Sequence, residues 1–147
     1  MTGTEIIQIV TAFIGSLCFG ILFNMRGKKL IAAAVGGLFS WGLFILFNSL
    51  ISSEPLTYFI VAVIISMYSE IMARLLKTPA APVVTTSLIP LIPGGSLYYT
   101  MSSAFESDFS KFIEKAVTTL ELACALALGI IIVTALSQLI FSRVRSK

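Results

Sequence analysis

The sequence predicts an all-α integral membrane protein, five transmembrane helices in one domain over residues 1–147, and three observations carry that prediction. First, hydrophobic residues make up 57% of the chain and charged residues only 12%, where a soluble domain carries about a quarter charged residues. Second, the apolar residues fall into five runs, 6–23, 30–50, 56–73, 83–101 and 116–141; about 20 residues are needed to cross the hydrocarbon. Third, the charges collect at the joints between runs, as membrane flanks do. The net charge of +3 is therefore not a nucleic-acid footprint, because no element carries a basic stripe. The expected surroundings are a lipid bilayer, with no nucleic-acid partner.

Run one, Ile6–Phe23, is expected to be a retained span. No cation precedes it and no small-residue cleavage site follows, so it does not resemble a signal peptide. It carries Ser16 and Gly20 four residues apart. Run two, Leu30–Leu50, carries Ala32, Gly36 and Ser40 at the same spacing, with Ala33 and Gly37 repeating it. Small faces of this kind let helix backbones approach closely in lipid. Internal packing is the expectation; a seam for a partner subunit or a second copy is the alternative.

Run three, Leu56–Ala73, contains Glu70 four residues before Arg74, the spacing of a helical ion pair. Run five, Ala116–Phe141, needs tilt or projects beyond the bilayer. It contains Glu121 and the small pair Ala123 and Ala127. The joint before it, ESDFSKFIEK, reads either as a short helix capped by Ser107 or Asp108 or as an extension of run five. Phe109, Phe112 and Ile113 would share one face there, suited to the outer interface.

Eight of the ten basic residues lie at alternate joints: Arg26, Lys28 and Lys29, then Arg74 and Lys77, then Arg143, Arg145 and Lys147. The positive-inside rule therefore places the N-terminus outside and the C-terminus in the cytoplasm. The same pattern makes run four a crossing segment rather than a loop that returns to its own side, which would put the basic tail outside.

Run four, Val83–Met101, is the unusual one. It holds TTSLIPLIPGGSLYY, with Pro90, Pro93, Gly94 and Gly95 at its centre. Proline lacks an N–H and clashes with the carbonyl four residues earlier. The fourth helix is thus expected to break at Pro90–Gly95, freeing the carbonyls of Thr86 and Ile89. Unpaired backbone groups in hydrocarbon cost several kcal/mol each, so such a stretch survives only against protein or water. Pro93 would start a second half-helix whose first N–H groups, on Gly94, Gly95 and Ser96, attract a carboxylate. Thr85, Thr86, Ser87, Ser96, Tyr98 and Tyr99 add hydroxyls. Broken helices at mid-depth are where secondary transporters bind solutes. The candidate substrate-binding set is Thr86, Ser87, Ile89, Pro90, Pro93, Gly94, Gly95, Ser96 and Tyr98.

Glu70 and Glu121 are the intramembrane carboxylates, each a candidate proton carrier by default. Glu70 reads as a structural partner of Arg74. Glu121 has no cation at its depth in its own run and is the stronger candidate for coupling. The chain has no histidine, and its two cysteines, Cys18 and Cys124, lie within apolar runs. No metal site, cofactor or nucleophile–base pair can be assembled from these residues, so an enzyme is not expected.

The segment MARLLKTPAAPVVTTSLIPLIPGGSLYYTM resembles the threonine/serine exporter (ThrE) family, in particular its small, YjjB-like subunits. The resemblance rests on Arg74, Lys77, Pro79, Ile89, Pro90, Pro93, Gly94 and Tyr98, and on the layout of the whole chain. Ser87 departs from it, standing where glycine is expected. The resemblance implies a multi-pass protein of the bacterial plasma membrane, exporting threonine and serine or small dicarboxylates such as succinate, driven by a proton gradient. It also implies a larger, YjjP-like partner subunit. Five spans cannot divide into two equal inverted halves, so alternating access by that route calls for another chain. The rival expectation is a non-transporting scaffold subunit that stabilises a membrane partner. A scaffold has no need of broken backbone in the bilayer.

Overall fold

The computed structural model describes residues 3–105 and 109–145, and every regular element within them is helical. In chain order these are α1 (Gly3–Leu22), α2 (Lys28–Asn48), α3 (Glu54–Leu75), α4 (Ala80–Leu88), a 3-10 turn (Ile89–Leu91), α5 (Gly94–Phe105) and α6 (Phe109–Arg145). Four of them, α1, α2, α3 and α6, are long and apolar enough to cross a membrane. The fourth apolar run is the pair formed by α4 with its 3-10 turn and α5, bent by 60°. The N-cap residues predicted for the joint, Ser107 and Asp108, lie outside the described residues. Beyond them the joint is no separate helix: α6 runs unbroken for 37 residues, about 55 Å at helical rise, well beyond the roughly 30 Å of hydrocarbon.

Helix ends follow local chemistry. Pro55 stands in the first turn of α3 and Pro82 in that of α4, where a missing N–H removes no helical bond. The ends of α1 and α3 curl into matching left-handed caps. Asn24 (φ 56°) and Lys77 (φ 49°) take the left-handed position. The N–H groups of Met25 and Thr78 then reach back to the carbonyls of Gly20 and Ala73, both at 2.9 Å.

The α2 helix is the centre of the bundle, packed on α1, α3 and α4, while α6 lies against α3 and α5. The small residues of α2 make this possible. A Cβ on Gly36 would stand 2.1 Å from the Ser87 hydroxyl of α4, and one on Gly37 1.9 Å from the Ser16 hydroxyl of α1. The α1 and α2 stripes are therefore internal seams, as expected. On α6, Gly129 packs against the backbone of α3, whereas Ala123 and Ala127 face outward. One apolar cluster joins Val61, Ala62 and Ile65 of α3 to Val84, Leu88 and Leu91, and to Leu122 and Leu126 of α6. A second, of Met25, Ala33, Ala73 and Val83, ties the turn after α1 to the foot of α4. Large apolar side chains cover the outside, with Leu22, Leu75 and Phe105 all more than two-thirds exposed, as a lipid-facing surface requires.

Candidate functional site

Two prolines three residues apart do not act alike. Ile89 keeps helical angles, and Pro90 enters the 3-10 turn, where its missing N–H costs nothing. The chain leaves the helix two residues later, at Ile92 (φ −60°, ψ 124°). That is the extended geometry which a following proline imposes on its predecessor. The break is thus centred on Ile92–Pro93. Each arm, 12 residues from Ala80 to Leu91 and 12 from Gly94 to Phe105, is about 18 Å long, roughly half the hydrocarbon thickness.

The hydrogen bonds at the break correct two expectations. The Ile89 carbonyl is not free: the 3-10 turn gives it the Ile92 N–H at 3.1 Å. The Gly94 N–H is not free either, donating to the Ile92 carbonyl at 2.6 Å in a tight three-residue turn. Pro93 serves as the N-cap of α5 rather than its first helical residue, its carbonyl taking the Leu97 N–H at 3.0 Å. Among the described residues the N–H groups of Gly95 and Ser96 have no backbone acceptor. They are the open amides of the second arm.

The predicted site residues divide between two faces. Thr86 and Ser87 are fully buried and committed to packing: Thr86 Oγ1 lies 3.8 Å from Met25 Sδ, and Ser87 Oγ donates to the Ala33 carbonyl at 3.3 Å. Gly94, Gly95, Tyr98 and Tyr99 lie on the outside of the chain, with the two tyrosine rings edge to face at 5.6 Å. Thr85 faces a third place, an apolar groove of about 320 Å³ between α4 and α6. Val84, Leu88, Ile92, Leu126 and Thr134 also line it. Thr100 holds α5 to α6 through Thr119 at 2.9 Å. The residues do not converge on one enclosed pocket.

Glu70 stands as expected beside Arg74, at 3.2 Å. A residue that no local pattern signalled completes the arrangement. Ser137 of α6, 67 positions away, donates to Glu70 Oε2 at 2.8 Å and accepts from Arg74 at 2.7 Å. Glu121 lies on the outward face of α6, and Cys124 is exposed as well. Sequence reading placed Ser16 and Ser40 on small-residue stripes and missed Ser66 and Ser69; all four hydroxyls are buried without a hydrogen-bond partner. No cluster of cysteine, aspartate and glutamate suited to a metal occurs among the described residues.

An all-helical bundle with four helices long and apolar enough to cross a membrane, and a bent helix pair beside them, is consistent with a membrane protein, and a comparison with known families names the kind. No curated protein and no solved structure matches the chain. Residues 8–136, most of the chain, match the family described as "Threonine/Serine exporter, ThrE", a family of membrane exporters rather than enzymes. The chain belongs to the threonine/serine exporter family.

Proposed function

We propose that the chain is the small subunit of a secondary exporter and that its bent fourth run forms one wall of the solute path. The observation that carries this reading is the pair of open amides, Gly95 and Ser96, at the start of α5. They sit at the positive end of a helical dipole, where a substrate carboxylate gains charge-assisted hydrogen bonds. Threonine, serine and a small dicarboxylate all carry that group. In this reading the hydroxyls of Ser96, Tyr98 and Tyr99, on the same first turns of α5, orient the rest of the solute.

The amides and tyrosines face out of this chain. In hydrocarbon such backbone needs protein or water beside it, so a larger family partner closes the path from the other side. Proton coupling is assigned to Glu121, which stands on an outward face of α6 at the subunit boundary. Glu70 is already engaged by Arg74 and Ser137 and holds α3 to α6. With the basic joints after α1 and α3 and the basic C-terminal tail all in the cytoplasm, run four crosses the bilayer of a bacterial plasma membrane.

The test compares export of labelled threonine, serine and succinate by cells carrying the partner alone, the partner with this chain, and the partner with a Pro93→Ala/Gly94→Leu variant. The expected result is export with the native chain and at least a tenfold loss with the variant, whose assembly is checked by co-purification. Normal export by a normally assembled variant removes the break from the transport path and leaves the chain a scaffold.

A further inference from the structure

The caps of α1 and α3 lie side by side at the end of the bundle that carries Arg26, Lys28, Lys29, Arg74 and Lys77. Between the α1 cap and the foot of α4 is a cavity of about 490 Å³, lined by Phe23, Asn24, Met25, Arg26, Lys29, Thr78 and Pro82. Most of its surface is polar, unlike the apolar groove between α4 and α6.

Its electrostatics are one-sided. Arg26 and Lys29 both line it, and neither pairs with a carboxylate among the described residues. Glu70, the acidic residue nearest this end along α3, is engaged by Arg74 and Ser137. The helix ends add to the same sign. The carbonyls closing α1 and α3 are taken up by the left-handed caps, while α2 and α4 begin at this end without any side-chain cap. Lys28 and Lys29 occupy the first turn of α2 with no acidic residue, the terminus where cations are disfavoured. A cavity arranged in this way repels cations and has two unpaired donors for an anion.

We propose that this cavity is an anion site for a phosphate or carboxylate group, held by the Arg26 guanidinium and the Lys29 ammonium with the Thr78 hydroxyl and the Asn24 amide as neutral donors. Such a group arrives either on an anionic phospholipid, for which basic pockets at helix ends are suited, or as a free solute. Pro82, in the first turn of α4, is one of the lining residues, so the occupant touches the foot of the helix that leads to the break. The site is separate from the open amides of α5 and does not depend on them for transport.

The experiment uses the purified full chain in neutral detergent. In one arm, native mass spectrometry counts retained phosphatidylglycerol against phosphatidylcholine. In the other, calorimetry titrates inorganic phosphate and then succinate. Preferential phosphatidylglycerol retention, reduced about fivefold by Arg26→Gln or Lys29→Gln and twentyfold or more by both, supports the site with a lipid headgroup as occupant. Phosphate or succinate binding with the same losses supports it with a free solute. Lys29→Arg keeps binding, which separates charge from misfolding, and Lys28→Gln, adjacent but outside the cavity lining, keeps it too. No preference in either arm overturns the proposal. So does a loss in Lys28→Gln equal to that in Lys29→Gln, because the effect is then diffuse surface charge.

Discussion

Substituting Gly36 with alanine tests whether α2 fixes the position of α4. The new Cβ would lie 2.1 Å from Ser87 Oγ and 2.7 Å from Ser87 Cβ, with Tyr68 Cε1 at 3.0 Å. Ordinary carbon contacts are about 3.5–4.0 Å. The Ser87 hydroxyl can rotate away, but its Cβ cannot, so α4 must retreat by about 1 Å. Overpacking of that kind costs about 1–3 kcal/mol, offset in part by about 1 kcal/mol of helix propensity gained on replacing glycine. Ser87→Gly removes the obstacle at a cost of its own: the bond to the Ala33 carbonyl, about 1 kcal/mol, and a similar amount for glycine within a helix. The clash with Ser87 is absent from the double variant, so Gly36→Ala/Ser87→Gly should be about 1–2 kcal/mol more stable than the two single changes predict together. Dodecyl sulfate titration in mixed micelles, followed by circular dichroism, measures the three values. The export assay should show the same recovery, since α4 carries the break. Additivity within about 0.5 kcal/mol would refute the claim that Gly36 and Ser87 meet.

Three further outcomes follow from the side chains at hand. Glu121→Gln should abolish dependence of export on the proton gradient, read with a protonophore in energised vesicles; unchanged dependence assigns the proton elsewhere. Glu70→Gln should lower stability by about 1 kcal/mol, a modest figure because Arg74 is 40% exposed, while leaving gradient dependence in place. Ser66→Ala and Ser69→Ala should be neutral or slightly stabilising, since each removes a buried hydroxyl without a partner; a loss above about 1 kcal/mol would mean that those hydroxyls are bonded in the membrane.

Hydropathy located all five apolar segments because a bilayer tolerates so few polar residues, and proline and glycine located the interruption because their backbone limits act locally. The position of the break was legible only to within two residues. A single proline can enter a 3-10 turn, and which of Pro90 and Pro93 yields depends on the turn that forms around them. The continuity of α6 through the joint was open in the sequence, since a polar approach to an apolar run suits either a separate or a continuous helix. The Gly36 and Gly37 seam was readable as close packing, but its partners, Ser87 and Ser16, were not, because helix pairing is set by the whole bundle. Ser137 and the basic cavity share that origin: both arise where segments distant in sequence meet.

Whether the start of α5 meets water and solute within the membrane decides between a transport path and a scaffold. With Cys18 and Cys124 replaced by serine, a Ser96→Cys chain co-expressed with its partner should react with a membrane-impermeant maleimide, and threonine, serine or succinate should slow that reaction at least severalfold. An introduced thiol that stays unlabelled from both sides, or one whose labelling none of the three solutes changes, would contradict a solute path at the bend.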